Sequence, residues 1–267
     1  MTAMLRLYAA LMRIAILTNL QYRASGLIWM IGMILEPVIY LIVWSTIAQS
    51  GGASLAGFDA RDFAAYYIVF FLCTHVTFSW IMEVFQYRVQ QGTLSFELLR
   101  PVHPIHEDLA DNIGYKLVML VVLLPAAAAL FWAFEPRFTP VGWSLALFVV
   151  ALPLGFFVRF LVEWSLALSA FWTTRTSAVN RAYYSVLLFL SGRIAPIALL
   201  PAWLAGTARA LPFYWMVGFP VELALGRLTP AEALRGIGTQ VVWVGIALAT
   251  LSLLWRAASR RYAAVGQ

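Results

Sequence analysis

The sequence predicts an all-α integral membrane protein with six transmembrane helices. Two observations carry this. Charged residues make up 11% of the 267-residue chain and hydrophobic residues 63%, with a mean hydropathy of +0.83, whereas a soluble domain carries about 25% charged residues. Six apolar stretches, each long enough for a hydrocarbon core of ~30 Å, alternate with polar segments rich in arginine. The lone Cys73 sits in an apolar run, so no disulfide framework and no cysteine metal site is expected.

Residues 3–20 place Met4, Leu7, Leu11, Ile14 and Leu17 at helical spacing with Arg6 and Arg13 between them. This predicts an N-terminal amphipathic helix, within residues 1–25, lying in the membrane interface with its arginines among the headgroups. A cytoplasmic helix packed on a partner fits the same pattern. Arg6, Arg13 and Arg23 recur too often for the apolar core of a cleavable signal, so the first span is expected to act as its own insertion signal.

Residues 26–267 form the six-span domain. The first span, 26–48, contains Glu36 beside the helix-kinking Pro37. A glycine-rich loop with Asp59, Arg61 and Asp62 leads to the second span, 64–85, which contains His75 and ends near Glu83. The third span is 115–134. The fourth, 142–172, has Arg159 and Glu163 inside it. The fifth, 182–200, carries Gly192, Arg193 and Pro196. The sixth is 237–255, followed by Arg256, Arg260 and Arg261.

Between the second and third spans lies a polar, amphipathic interruption, YRVQQGTLSFELLRPVHP, residues 87–104. Gly92 breaks the preceding helix and Thr93 can cap the next. Arg100-Pro101 ends it, because the residue before proline is pushed out of the α region. A short helix over residues 94–100 is therefore predicted to lie across the membrane surface, with Leu94, Phe96, Leu98 and Leu99 keeping it partly apolar.

Six spans put both termini on one side. That side holds Arg6, Arg13, Arg23, Arg88, Arg100, Lys116, Arg175, Arg181, Arg256, Arg260 and Arg261. The other holds Arg61, Arg137, Arg193, Arg209, Arg227 and Arg235. The positive-inside rule makes the richer side, and both termini, cytoplasmic. It also accounts for the net charge of +6 without a nucleic-acid partner. Residues 201–236 are then external. Pro201, Pro212, Pro220 and Pro230 break them too often for one span, yet they hold apolar blocks such as LPFYWMVGFP. Short re-entrant helices satisfy that backbone internally; a plain external loop is the alternative.

Several chemistries are excluded by pattern. Lys116, the single lysine, sits in IGYKLV without the flanking glycines or the following Ser/Thr of a P-loop, so no ATP hydrolysis is expected from this chain. There is no HExxH and no GxSxG. His75, His103 and His106 form no spaced metal set. Ionisable residues within spans are candidates for function. Arg159 and Glu163, four apart, can pair on one helix face, as a structural lock or as part of a pathway. Glu36 can bond backbone freed by Pro37 or face a cavity. Glu83 can sit at the interface or pair with Arg88 or another loop arginine. His75 fits a packing role or a proton-carrying one.

The segment GTLSFELLRPVHP, the external PIALLPAWLAGTARALPFYWMVGFPVELALGR and the basic ending LLWRAASRRYAAVGQ together resemble the permease subunits of ABC-2 type transporters, in the branch of uncharacterised ABC-2 family export permeases. The resemblance covers nearly the whole chain. It implies that the short helix is a cytoplasmic coupling helix, with Thr93, Leu94, Phe96, Glu97, Leu98, Leu99 and Arg100 at the contact with an ATPase subunit. Phe96, Leu98 and Leu99 would dock, and Glu97 and Arg100 would lie at the rim. It implies two copies of a cytoplasmic ATPase, which hold the ATP and Mg that this chain lacks. A second permease, identical or paralogous, would complete an export pathway across a prokaryotic inner membrane. Spans two and five meet at that subunit interface in the family, so Phe70, Phe71, Phe78, Tyr183, Tyr184 and Phe189 are candidate pathway aromatics, alongside Glu36, His75, Glu83, Arg159 and Glu163. A stand-alone secondary transporter relaying protons through Glu36, Arg159 and Glu163, or a membrane enzyme, are the other classes. The chain shows no inverted repeat for the first and no catalytic motif for the second.

Overall fold

The computed structural model describes residues 2–50, 55, 57–173 and 176–261; the glycine-rich loop at 51–54, Arg175 and the tail beyond Arg261 lie outside the described residues. The architecture is all-helical. α1 (Thr2–Gln21) runs into α2 (Arg23–Ser50), which takes in the expected first span. One face of α1 packs along α6 (Ile105–Phe134): Tyr8 hydrogen-bonds His106, and Ala15 sits so close to Gly114 that no side chain fits between them. Arg6, Arg13, Ile14 and Leu17 remain exposed on the other face.

The expected second span is not one helix. α3 (Ala60–Thr77) begins at a capping box between Asp59 and Asp62 and stops at Phe78, whose ψ of 144° turns the chain out of the helix. α4 (Ile81–Gln90) resumes after Trp80. No proline or glycine makes this break; side chains from neighbouring helices hold it open, as described below. Gly92 has a φ of +70° and ends α4 as expected.

α5 (Leu94–Leu98) is shorter than the predicted 94–100, and Thr93 does not cap it: the Thr93 hydroxyl donates back to the Arg88 carbonyl at 3.5 Å. α6 has 30 residues, about 45 Å at 1.5 Å per residue. It therefore extends well below the apolar section that starts at Tyr115. α7 (Gly142–Ala167) ends in a 3₁₀ turn, Leu168–Phe171.

The expected fifth span is also broken. α8 (Thr176–Leu190) has 15 residues, about 22 Å. The chain then bends at Gly192, φ +87°, and passes Pro196 into a 3₁₀ turn, Ile197–Leu199. Three short helices follow: α9 (Ala202–Ala210), α10 (Pro212–Met216) and α11 (Gly218–Ala224). α10 and α11 are mostly buried against α7; the carbonyl of Met216 fills the space a side chain at Gly155 would need. α12 (Pro230–Ser259) starts seven residues before the expected sixth span. Thr229 and Glu232 form its capping box and Pro230 takes the first turn, where its missing N–H costs nothing.

Among the described residues, five helical stretches are long and apolar enough to cross a membrane: Gly26–Ser50, Ala60–Gln90, Ile105–Phe134, Gly142–Phe171 and Pro230–Ser259. α8 is not one of them. The core lies between α3, α4, α7 and α12, around Tyr66, Tyr67, Phe85, Phe160 and Trp164.

Candidate functional site

Two polar systems organise the end of the molecule that carries α5. The first lies at the α3–α4 break. Lys116, on the third turn of α6, is buried. Its ammonium donates to the Phe78 carbonyl at 2.7 Å and to the backbone and side-chain oxygens of Asn112 at 3.3 Å each. It also stands 4.6 Å from the centroid of the Phe156 ring. The carbonyl freed by the break is thus satisfied by a cation from another helix, which is what an interrupted helix in an apolar setting requires. Arg159 and Glu163 pair at 2.7 Å on buried turns of α7, and Tyr183 of α8 donates to the same carboxylate oxygen at 3.0 Å. The Arg159 guanidinium lies 5.3 Å from the Phe78 ring. Four elements therefore converge on one polar layer.

The second system joins α5 to the body. Arg88, in the last turn of α4, places Nε 3.1 Å from Glu97 of α5 and donates from Nη1 to Asp108 of α6 at 2.6 Å. The other Asp108 oxygen accepts from the Trp164 indole of α7 at 2.8 Å. His103 and Trp255 of α12 pack on Trp164, with ring centroids 5.4 and 5.3 Å away. Burial outweighs the neighbouring Arg88 and leaves the Glu97 carboxyl above the usual carboxylate range. Burial, helped by His106, pushes the pKa of His103 down from its ordinary value.

On the outside of α5, Phe96 and Leu99 are 70% and 83% exposed, Leu98 36%, while Leu94 is buried beneath them. Glu97 is turned inward to Arg88 instead of standing at a rim, and Arg100 is held by Glu107 at 2.6 Å on the surface.

The remaining candidates are scattered. Glu36 pairs with Arg193 from the bend after α8. Glu83 accepts from Tyr184 at 3.2 Å, and Arg88 is occupied elsewhere. His75 packs on Tyr115, with Nε2 3.4 Å from the Lys116 carbonyl. Phe70 and Phe71 are buried inside the chain and present no open surface; Phe189 is exposed on α8. At the opposite end, Arg137 pairs with Asp59 at 2.7 Å, Arg227 approaches Asp62 at 3.5 Å, and a cavity of about 190 Å³ lies between them.

Asp108 and Trp164 were not singled out by sequence reasoning, and beyond the charge count Lys116 and Arg88 entered it only as a rejected P-loop lysine and as a partner for Glu83. The one usable signal was that the chain's only lysine falls in the run YKLVMLVV, at the mouth of a span.

A family model described as ABC-2 family transporter protein matches residues 34–266. No curated protein matches the chain.

Proposed function

Because the chain belongs to the ABC-2 family of transporter proteins, we propose that it is the membrane-spanning subunit of an ABC exporter, driven by ATP hydrolysis in separate cytoplasmic subunits. A multi-pass membrane protein of this family is a transport component that associates with an ABC ATPase. Two ATPase subunits and two permeases, identical or paralogous, assemble in a prokaryotic inner membrane, with the pathway between the permeases. The observation that carries it is α5: a five-residue helix with Phe96, Leu98 and Leu99 outward and Glu97 anchored inward. Exposed apolar anchors on a rigid support suit helix-in-groove docking. Closure of the ATPase pair on ATP would push α5, and α5 would carry the movement to α4, α6 and α7. Lipid-facing surface is supplied by the exposed apolar residues of α2, α6 and α12, such as Ile28, Ile39, Val121 and Val242.

Two expected outcomes test this. The purified lone chain should bind no ATP, since Lys116 lacks a P-loop and its ammonium is fully engaged; the complex with its ATPase subunit should bind it. Photolabelling of the lone chain by 8-azido-ATP that excess ATP suppresses is the contrary result. Topology follows from the arginine distribution, with α8 and the bend at 191–199 together completing the sixth crossing. A cysteine at Gly206 on α9, where a side chain meets nothing within 4 Å, should react with an impermeant maleimide in intact cells once Cys73 is replaced. Reaction only after lysis would place α9 inside and refute the six-crossing arrangement.

A further inference from the structure

We infer that Arg88 is the positioning residue that transmits movement of α5 to the membrane helices; the inference rests on the coupling role proposed above for that helix. The backbone gives α5 little hold of its own. It is five residues long, follows a glycine in the left-handed region and precedes Pro101. Leu94 packs it down, Arg100 just after it pairs with Glu107 at the surface, and among the described residues Glu97 is the inward charge that ties it sideways. That tie ends on Arg88, and among the described residues Arg88 continues it: one guanidinium edge faces Glu97 of α5, the other holds Asp108 of α6. Asp108 then receives the indole N–H of Trp164, so α7 is the third member. The planar fork of arginine can serve two carboxylates at fixed angles at once, which a lysine ammonium does less well.

The arrangement separates docking from transmission. Phe96 and Leu99 point away from the molecule, whereas Arg88, Asp108 and Trp164 point into it. Without Arg88 two carboxylates, Glu97 and Asp108, face each other with no cation between them. α5 then still presents its outer face but no longer moves α6 and α7 with it.

The test uses the permease–ATPase complex in lipid nanodiscs, with Cys73→Ala and a reporter cysteine at Phe189 of α8, which is exposed. Maleimide labelling rates are compared without nucleotide and after trapping with ADP and vanadate. In Arg88→Gln, ATPase recovery should stay within about twofold of the parent and trapping should be undiminished. The change in labelling rate on trapping should shrink at least fivefold. Arg88→Lys should fall between the two. Trp164→Phe, which removes the N–H donor to Asp108 together with part of a buried ring system, should lose about half of the response. A parental response in Arg88→Gln overturns the inference. So does loss of the ATPase from a folded Arg88→Gln permease, which would make Arg88 a docking residue. If Arg88→Gln does not accumulate, Arg88→Lys decides, and a full parental response in it is the overturning result. A parent that recovers the ATPase yet shows no rate change on trapping also sinks the inference, leaving the family reading intact. A parent that recovers no ATPase removes the functional reading itself.

Discussion

Phe96→Asp should abolish recovery of the ATPase subunit with the permease while leaving the permease in the membrane. Phe96 is among the most exposed apolar side chains on α5 and sits outside every helix long enough to span. Insertion therefore does not depend on it. If its ring fills a groove on the ATPase, an aspartate there becomes a desolvated, unpaired charge. Such a charge costs about 3–5 kcal/mol, or a loss of affinity on the order of 100- to 4,000-fold. Leu99→Asp should match it. Leu98→Asp should be milder, because Leu98 is only 36% exposed and gives less surface to a partner. Arg100→Ala should be nearly silent, since its pair with Glu107 is a surface pair worth ~1 kcal/mol or less. Undiminished co-purification of the ATPase with Phe96→Asp would remove the docking role of α5.

Arg159→Met should destabilise the permease more than any surface change. It leaves the Glu163 carboxylate buried without its cation, with neutral hydroxyl donors such as Tyr183 in its place. Breaking a buried pair on one side costs about 3–5 kcal/mol. The variant also sheds the ~2.5–3.5 kcal/mol that insertion scales assign to an arginine at mid-span, so insertion itself should not suffer. The loss should show instead in the folded protein: an apparent melting temperature in detergent lowered by on the order of 10 °C. Arg159→Met combined with Glu163→Gln should recover most of it, because no charge is then left alone. If the single variant melts with the parent, the pair contributes no stability. If the double variant is the worse of the two, the pair is doing something other than neutralising itself.

Five long apolar helices were readable because membrane length and hydropathy set them with little help from tertiary structure; the expected fifth span, broken after the 15 residues of α8, was not. The pairing of Arg159 with Glu163 was readable because i, i+4 spacing on a helix leaves few alternatives. Gly92 was readable as a break because its backbone sits at positive φ. The α3–α4 break was not. Phe78, Ser79 and Trp80 carry no local signal to stop a helix, and the interruption is sustained by Lys116, 38 residues away. The Arg88–Asp108 contact, across 20 residues and two elements, was hidden for the same reason. Closeness in sequence makes Arg88 a candidate partner for Glu83; the fold gives it Glu97 and Asp108. Thr229, Pro230 and Glu232 were readable in principle as a capping box. Four prolines between 201 and 230 read equally as interruptions of an external loop, and that reading starts the last span seven residues after the true N-terminus of α12.

The burial of Lys116 has a practical corollary. Within residues 1–267 the only ε-amine is spent inside the protein on three oxygen acceptors. Amine-directed crosslinkers and acylating tags will therefore find almost nothing to react with on this chain while the break is closed. Any acylation at position 116 reports that the cation has left the Phe78 carbonyl, and its rate counts how often the two halves of the second crossing part company. The chain thus carries its own chemical clock for local opening in the membrane.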